Sequence, residues 1–177
     1  MKKDGIAAHS EAYTHILHPI PPTYDENSEI LILGSFPSVK SREMGYFYGH
    51  PQNRFWKIMA AIYQDDFPAT VEERRDFLLR HHIAVWDVLS SCDIIGSSDA
   101  SIKNAVPSDL SKILKTAPIQ NIFTNGKKAY SLYQKYTFPK TNIPATCLPS
   151  SSPANAAWTL EKLTNQWRLL ILGTKEF

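Results

Sequence analysis

Apolar residues fall in two alternating patterns along the chain: short runs, and longer segments in which they recur every three or four positions. Ile30 to Leu33, Ile83 to Leu89, Ile119 to Phe123 and Ala145 to Leu148 are strand-length runs, which predicts four buried strands. Between the first two runs, Phe55, Trp56, Met59, Ile62 and Tyr63 share one helical face. Thr70-Val71-Glu72-Glu73 has the capping-box spacing, which predicts a second helix through His81. Pro107-Ser108-Asp109-Leu110 opens a short predicted helix reaching Lys115, Gly126 to Tyr136 supplies another, and Ala156 to Trp167 the last long one. Leu169 to Leu172 is expected to finish as a strand or a docked extension.

Strands interleaved with helices imply an α/β fold, a three-layer α/β/α sandwich with a mainly parallel four-stranded central sheet. Parallel strands need crossover connections, and those crossovers cover both faces of the sheet. Residues 1–28, with Pro19, Pro21 and Pro22 near their end, read as an N-terminal extension packing on one domain at 29–177. Ligands in such sheets bind beyond the carboxyl ends of the strands. The loops Gly34 to Ser41, Asp87 to Gly96, Thr124 to Gly126 and Leu148 to Asn155 are therefore expected to converge.

Composition narrows the class. With 177 residues, 43% hydrophobic and 20% charged, the chain has the material for one self-sufficient core and is neither disordered nor collagen-like. Nineteen Lys+Arg against 17 Asp+Glu give a net charge of +2, so any basic face must be local. Met1-Lys2-Lys3 is not followed by an apolar run, and no stretch has membrane-spanning length, which makes the cytoplasm the expected location. Cys92 and Cys147 have no second cysteine nearby and read as buried thiols. His15, His18 and the pair His81-His82 lack the partners of a zinc pattern, so neither metal nor cofactor is expected. A monomer is expected.

The candidate chemistry lies in the loops. Gly34-Ser35-Phe36-Pro37-Ser38 places a glycine directly after a strand, yet it is neither a P-loop nor a G-x-S-x-G elbow. Tyr46-Phe47-Tyr48 precedes the turn His50-Pro51-Gln52-Asn53, which reads either as a satellite hydrophobic cluster or as a π-lined slot with Asn53 at its edge. Leu148-Pro149-Ser150-Ser151-Ser152-Pro153 forms a stiff, slim loop before Asn155. Lys127 and Lys128 open a helix, where a phosphate or plain solvent would suit them. Asp87 and Asp93 follow the second strand, where a capping or solvated role competes with orienting a water.

Taken together and in order, these segments resemble the uracil-DNA glycosylase superfamily over most of residues 29–172. Gly34-Ser35-Phe36-Pro37-Ser38 followed by His50-Pro51-Gln52-Asn53-Arg54-Phe55-Trp56-Lys57 is similar to the G-x-N-P-G and HPxNRFWK segments of the mismatch-specific enzymes. The hypoxanthine-DNA glycosylase branch resembles the pattern best. Two positions depart from most branches: Ser35 stands where an Asn or Asp activates water, and Leu148 where a His supports the departing base. Serine has no carboxylate to act as a base.

The resemblance implies a monofunctional DNA glycosylase that hydrolyses the N-glycosidic bond of deoxyinosine and leaves an abasic site, with damaged DNA as partner. It implies a catalytic role for Asn53, with Ser35 and His50 beside it, and base contacts from Phe36, Pro37, Ser38, Tyr46, Phe47, Tyr48 and Asn125. Arg42, Lys127, Lys128, Ser150, Ser151, Ser152 and Pro153 are the expected DNA contacts, and binding should depend on salt. Uracil or mismatch-specific excision is the alternative substrate reading. A non-cutting binder of altered DNA or nucleotides is the alternative of another class, and a serine hydrolase lacks both elbow spacing and an acid–His pair.

Overall fold

The computed structural model describes residues 12–173. The reading of Met1-Lys2-Lys3, and the first part of the 1–28 extension, lie outside the described residues.

Four parallel strands, β2 (Ile30–Gly34), β3 (Ile83–Asp87), β6 (Asn121–Asn125) and β7 (Ala145–Leu148), form the central sheet in the order β3-β2-β6-β7. β2 is central, pairing with β3 from Ile30↔Ile83 to Gly34↔Asp87 and with β6 on its other side. Alternation along β2 sends Ile32 into one apolar cluster and Leu31 and Leu33 into another. The first cluster is covered by α2 (Phe55–Tyr63), α3 (Val71–Arg80) and α7 (Leu160–Leu172). The second is covered by α4 (Ser111–Thr116) and α5 (Lys127–Leu132), with Tyr133 of the π-helical segment that follows. Helices on both faces of a four-stranded parallel sheet make the three-layer α/β/α sandwich.

Several boundaries differ from the sequence expectation, each for a local reason. The run Ile83 to Leu89 is two strands. After β3 the chain turns at Val88, whose N–H donates to Gly34 O, and continues as β4 (Leu89–Ile94). There it joins a separate antiparallel sheet, β1-β4-β5, with β1 (Thr14–Leu17) and β5 (Lys103–Pro107). Pro107 thus closes an edge strand, where its missing N–H costs no ladder bond, and α4 begins later, with Asp109 accepting from Ser111 N–H. The strand expected at Ile119 to Phe123 lies at Asn121–Asn125. Leu169 to Leu172 is neither strand nor extension: it completes α7, in which Leu163, Trp167 and Ile171 recur every fourth residue and are buried. That helix starts at Leu160 behind the Thr159 cap rather than at Ala156. The segment from Gly126 ends as α5 at Leu132, then a π turn and the short α6 (Phe138–Thr141). The short helix α1 (Val39–Met44), capped by Ser38, had no periodic signal. The Thr70–Glu73 capping box forms in full.

Burial pushes the Cys92 thiol up to about 11, while Cys147 is only partly buried. Among the described residues no helix is long and apolar enough to cross a membrane.

Candidate active site

Three of the expected loops, Gly34 to Ser41, Thr124 to Gly126 and Leu148 to Asn155, meet around a cavity of about 310 Å³ whose lining includes Ser35, Phe36, Tyr48, Asn53, Asn125 and Ser151; of Asp87 to Gly96 only Asp87 reaches it, because Leu89–Ile94 leaves as β4. Backbone geometry brings the loops this close. A Cβ at Gly34 would lie 2.4 Å from Asp87 Oδ1, so only glycine lets that carboxylate sit against the end of β2. Gly126, at φ +94°, would place a Cβ 3.0 Å from Ser150 Cβ. The turn at 34–35 is pinned to the junction of β3 and β4 by Val88 N–H on Gly34 O and Leu89 N–H on Ser35 O.

One wall is built around Ser151, which is fully buried. Asn125 holds it at both ends: Ser151 N–H donates to Asn125 Oδ1 at 3.0 Å, and Asn125 Nδ2 donates to Ser151 Oγ at 2.9 Å. Ser151 Oγ in turn donates to Asn53 Oδ1 at 2.8 Å, and Phe55 N–H reaches the same oxygen at 3.0 Å as α2 begins. These donors settle the amide orientations, since a flipped Asn53 would set its NH2 against two donors. Asn53 Nδ2 has no hydrogen-bond partner among the described residues, so this side chain offers the cavity a donor. His50 is oriented by a similar logic. Gln52 N–H donates to Nδ1 at 3.1 Å, so the ring's proton resides on Nε2.

Arg54 secures the loop carrying Ser151. Its guanidinium donates to the carbonyls of Ser151, Ser152, Asn155 and Trp158, at 2.7 Å for Ser152 and 3.1 Å for Asn155, and its own N–H bonds Ser151 O at 3.1 Å. Arg54 lies within the segment His50 to Lys57, whose sequence alone assigns it no task. A lone cation between two irregular loops was the available signal, because irregular backbone needs donors for its carbonyls.

Two carboxylates complete the cavity. Asp87 is 4% exposed and accepts from His18 Nε2 at 2.7 Å, while His18 Nδ1 accepts from Ile20 N–H. Asp99 comes from the surface loop between β4 and β5, and its Oδ1 accepts from Ser35 Oγ at 2.8 Å. Asp99 is exposed as a residue, but its carboxyl is bonded inward to Ser35, and the loss of water around that group raises its pKa above the ordinary carboxylate value. The Ser35 hydrogen bond opposes that shift, the charge of Asp87 adds to it and Lys128 subtracts. Ser35 therefore serves as a donor to a carboxylate. Asp99 had no sequence signal, because its partner lies 64 positions away.

The remaining expected residues divide. Pro37, Ser38, Phe47, Ser150, Ser152 and Pro153 line the cavity. Ser38 is also committed to capping α1, accepting from Ser41 N–H. Tyr48 stands at φ +53°, its ring stacked on Phe55 at 4.0 Å, with a buried hydroxyl that has no hydrogen-bond partner among the described residues. Burial, with Asp87 nearby, raises the pKa of that hydroxyl and keeps it protonated. Tyr46 is a correction: it lies outside the cavity lining, bonding Thr23 Oγ1 at 2.8 Å and stacking on Trp56, because the chain turns through residues 46–48 and sends neighbouring rings in different directions. Arg42 is tied to Gly96 O at 2.9 Å. Lys127 and Lys128 line an adjoining groove of about 620 Å³ that shares Asp99, Asn125, Ser150 and Ser152 with the cavity. His15 pairs with Asp93 on the outer sheet, and His81 with Asp65, so neither ring nor Asp93 lies at the cavity.

A parallel sheet whose strand ends surround a polar, aromatic-walled cavity beside a lysine-lined groove defines an α/β protein with its ligand site at the carboxyl ends of the strands. The chain belongs to the uracil DNA glycosylase superfamily, whose family model matches residues 21–172. A hypoxanthine DNA glycosylase of Methanosarcina acetivorans is 32% identical over 151 residues, covering 83% of this chain and 92% of that protein. A second, from Methanosarcina barkeri, is 37% identical over 111 residues, covering 62% and 70%. A solution NMR structure of a candidate uracil DNA glycosylase from Methanosarcina acetivorans superimposes with a TM-score of 0.71 at 30% identity, covering 86% of this chain and 96% of that one.

Proposed function

We propose that this enzyme removes hypoxanthine from deoxyinosine in DNA by hydrolysis of the N-glycosidic bond, leaving an abasic site. The observation that carries the reading is the chain Asn125 Nδ2–Ser151 Oγ–Asn53 Oδ1, which leaves the Asn53 amide as a donor at the cavity. The relatives named hypoxanthine DNA glycosylase support the choice of base. A cavity of about 310 Å³ lies at the small end of ligand pockets, roughly 300–1,000 Å³. It suits one flipped base rather than a larger ligand, and a base within a duplex reaches such a site only by leaving the stack. Lys127, Lys128 and the serines of the 150–152 loop give the adjoining groove its contacts for the strand.

Breaking the bond leaves positive charge on the sugar and negative charge on the departing base. Asn53 Nδ2 is an amide donor already aimed by Ser151, so it stabilises that negative charge with little reorganisation. With Oδ1 occupied twice, Asn53 serves as a donor and not as an acceptor for a water proton. The test is a single-turnover assay on oligonucleotides carrying deoxyinosine, uracil, xanthine or an ordinary base, read by alkali cleavage. Deoxyinosine is expected to be cut fastest, and Asn53→Ala to lower the rate about 10²–10³-fold, the usual loss for one transition-state donor. Cleavage mainly at uracil would replace the substrate. Lesion-selective binding without cleavage would sink the reading.

A further inference from the structure

The amide and imidazole acceptors at the cavity are already taken, and its serine hydroxyls are too weakly basic to hold a proton. Asn53 Oδ1 takes two donors, Asn125 Oδ1 takes Ser151 N–H, and His50 Nδ1 takes Gln52 N–H. A hydrolytic enzyme must nevertheless take a proton from its water. The carboxylates of Asp87 and Asp99 remain, and they are not equivalent. Asp87 is nearly enclosed, with one oxygen on His18 and the other against Gly34. Asp99 gives only Oδ1 to Ser35, and its Oδ2 has no hydrogen bond among the described residues.

We infer that Asp99 is the catalytic base of this enzyme, taking a proton from the attacking water through Oδ2 while Ser35, at the end of β2, holds Oδ1. This rests on the glycosylase reading above and adds to it the group that handles the water. The loop that carries Asp99 is assembled for placement. Val39 N–H donates to Ser97 Oγ at 2.9 Å, Arg42 to Gly96 O, and Ile95 N–H to Ser101 Oγ at 2.8 Å. The loop is thereby fastened to α1 and closed on itself. In the reaction the C1′–N9 bond breaks with its electron pair going to the base, and the water oxygen bonds C1′. One water proton passes to Asp99, which returns it to solvent, and the hypoxanthine anion takes one proton from solvent.

The charges facing Asp99 are Asp87 from β3 and Lys128 from α5; the Tyr48 hydroxyl and the Cys92 thiol also face it and stay neutral near neutral pH. The raised pKa of Asp99 places its titration above the ordinary carboxylate value. The rate should be full above that pKa and fall with unit slope as pH drops through it.

Asp99→Asn separates catalysis from bracing. An Asn oxygen still accepts from Ser35 Oγ, so the loop and the urea midpoint should be kept, while the base is lost. The experiment measures single-turnover excision at deoxyinosine against pH for the wild type, Asp99→Asn and Asp99→Glu, with binding of each to the same duplex. Expected are a fall of at least 100-fold in Asp99→Asn with binding unchanged, loss of its acid limb, and partial recovery in Asp99→Glu. An Asp99→Asn rate within a few-fold of wild type, with the acid limb intact, overturns the assignment and leaves the glycosylase reading standing. A wild type that excises none of the deaminated bases removes both together.

Discussion

Two loops face each other across the cavity, and they are held by opposite means. The 150–158 loop is fastened from within: Arg54 satisfies four of its carbonyls and Asn125 grips fully buried Ser151. The 95–101 loop is fastened near the surface, by its own Ser97 and Ser101 hydroxyls and by Arg42 on one carbonyl, and residues Gly96 to Ala100 are exposed. Buried, charge-assisted bonds resist local opening, whereas bonds in contact with solvent open readily. The first loop thus aims an amide whose placement must not drift. The second carries a carboxylate that has to meet water.

That contrast breaks first at Arg54. Arg54→Ala leaves carbonyls of the inner loop without donors and should cost about 3 kcal/mol in urea unfolding. Its excision rate should fall about 10²-fold, the usual penalty for misplacement by roughly 1 Å. Ser151→Ala removes one hydroxyl between two amides and should cost about 1–2 kcal/mol. A rate loss near tenfold is expected there, because Phe55 N–H still holds Asn53 Oδ1. Ser97→Ala in the outer loop is the small case, with a midpoint change within about 0.5 kcal/mol and a rate within a few-fold of wild type. Hydrogen exchange sharpens the comparison further: the Ser151 amide should be protected well beyond those of Ser97 to Asp99. If Arg54→Ala and Ser97→Ala shift the urea midpoint equally, the two loops are not held differently and the contrast is wrong.

Legibility followed the range of the interactions. β2, α2 and the capping box at Thr70 rest on contacts within a few residues or on plain periodicity, so they could be read directly. Tyr46 was misplaced for the complementary reason: a cluster of aromatics shows that rings gather and not which of them turns inward. The strand after Val88 was misjudged because apolar residues resume directly after Asp87 while the chain passes from one sheet to another. Asn53 and Asn125 were singled out from their loops, yet the serine that links them carried no mark distinguishing it from Ser150 and Ser152.

The sequence by itself determined that this is an α/β domain, which strand ends face the ligand, and which loops carry the polar side chains. These follow from alternation, capping and the handedness of parallel crossovers, all written locally along the chain. Tertiary structure alone decided that Ser151 joins two amides, that Arg54 serves as a source of donors for irregular backbone, and that Asp99 stands beside Ser35. Each is a hydrogen bond between residues 26 to 104 positions apart. Hydrogen bonds need partners placed to within a few tenths of an ångström, and over such separations only the packed sheet supplies that placement.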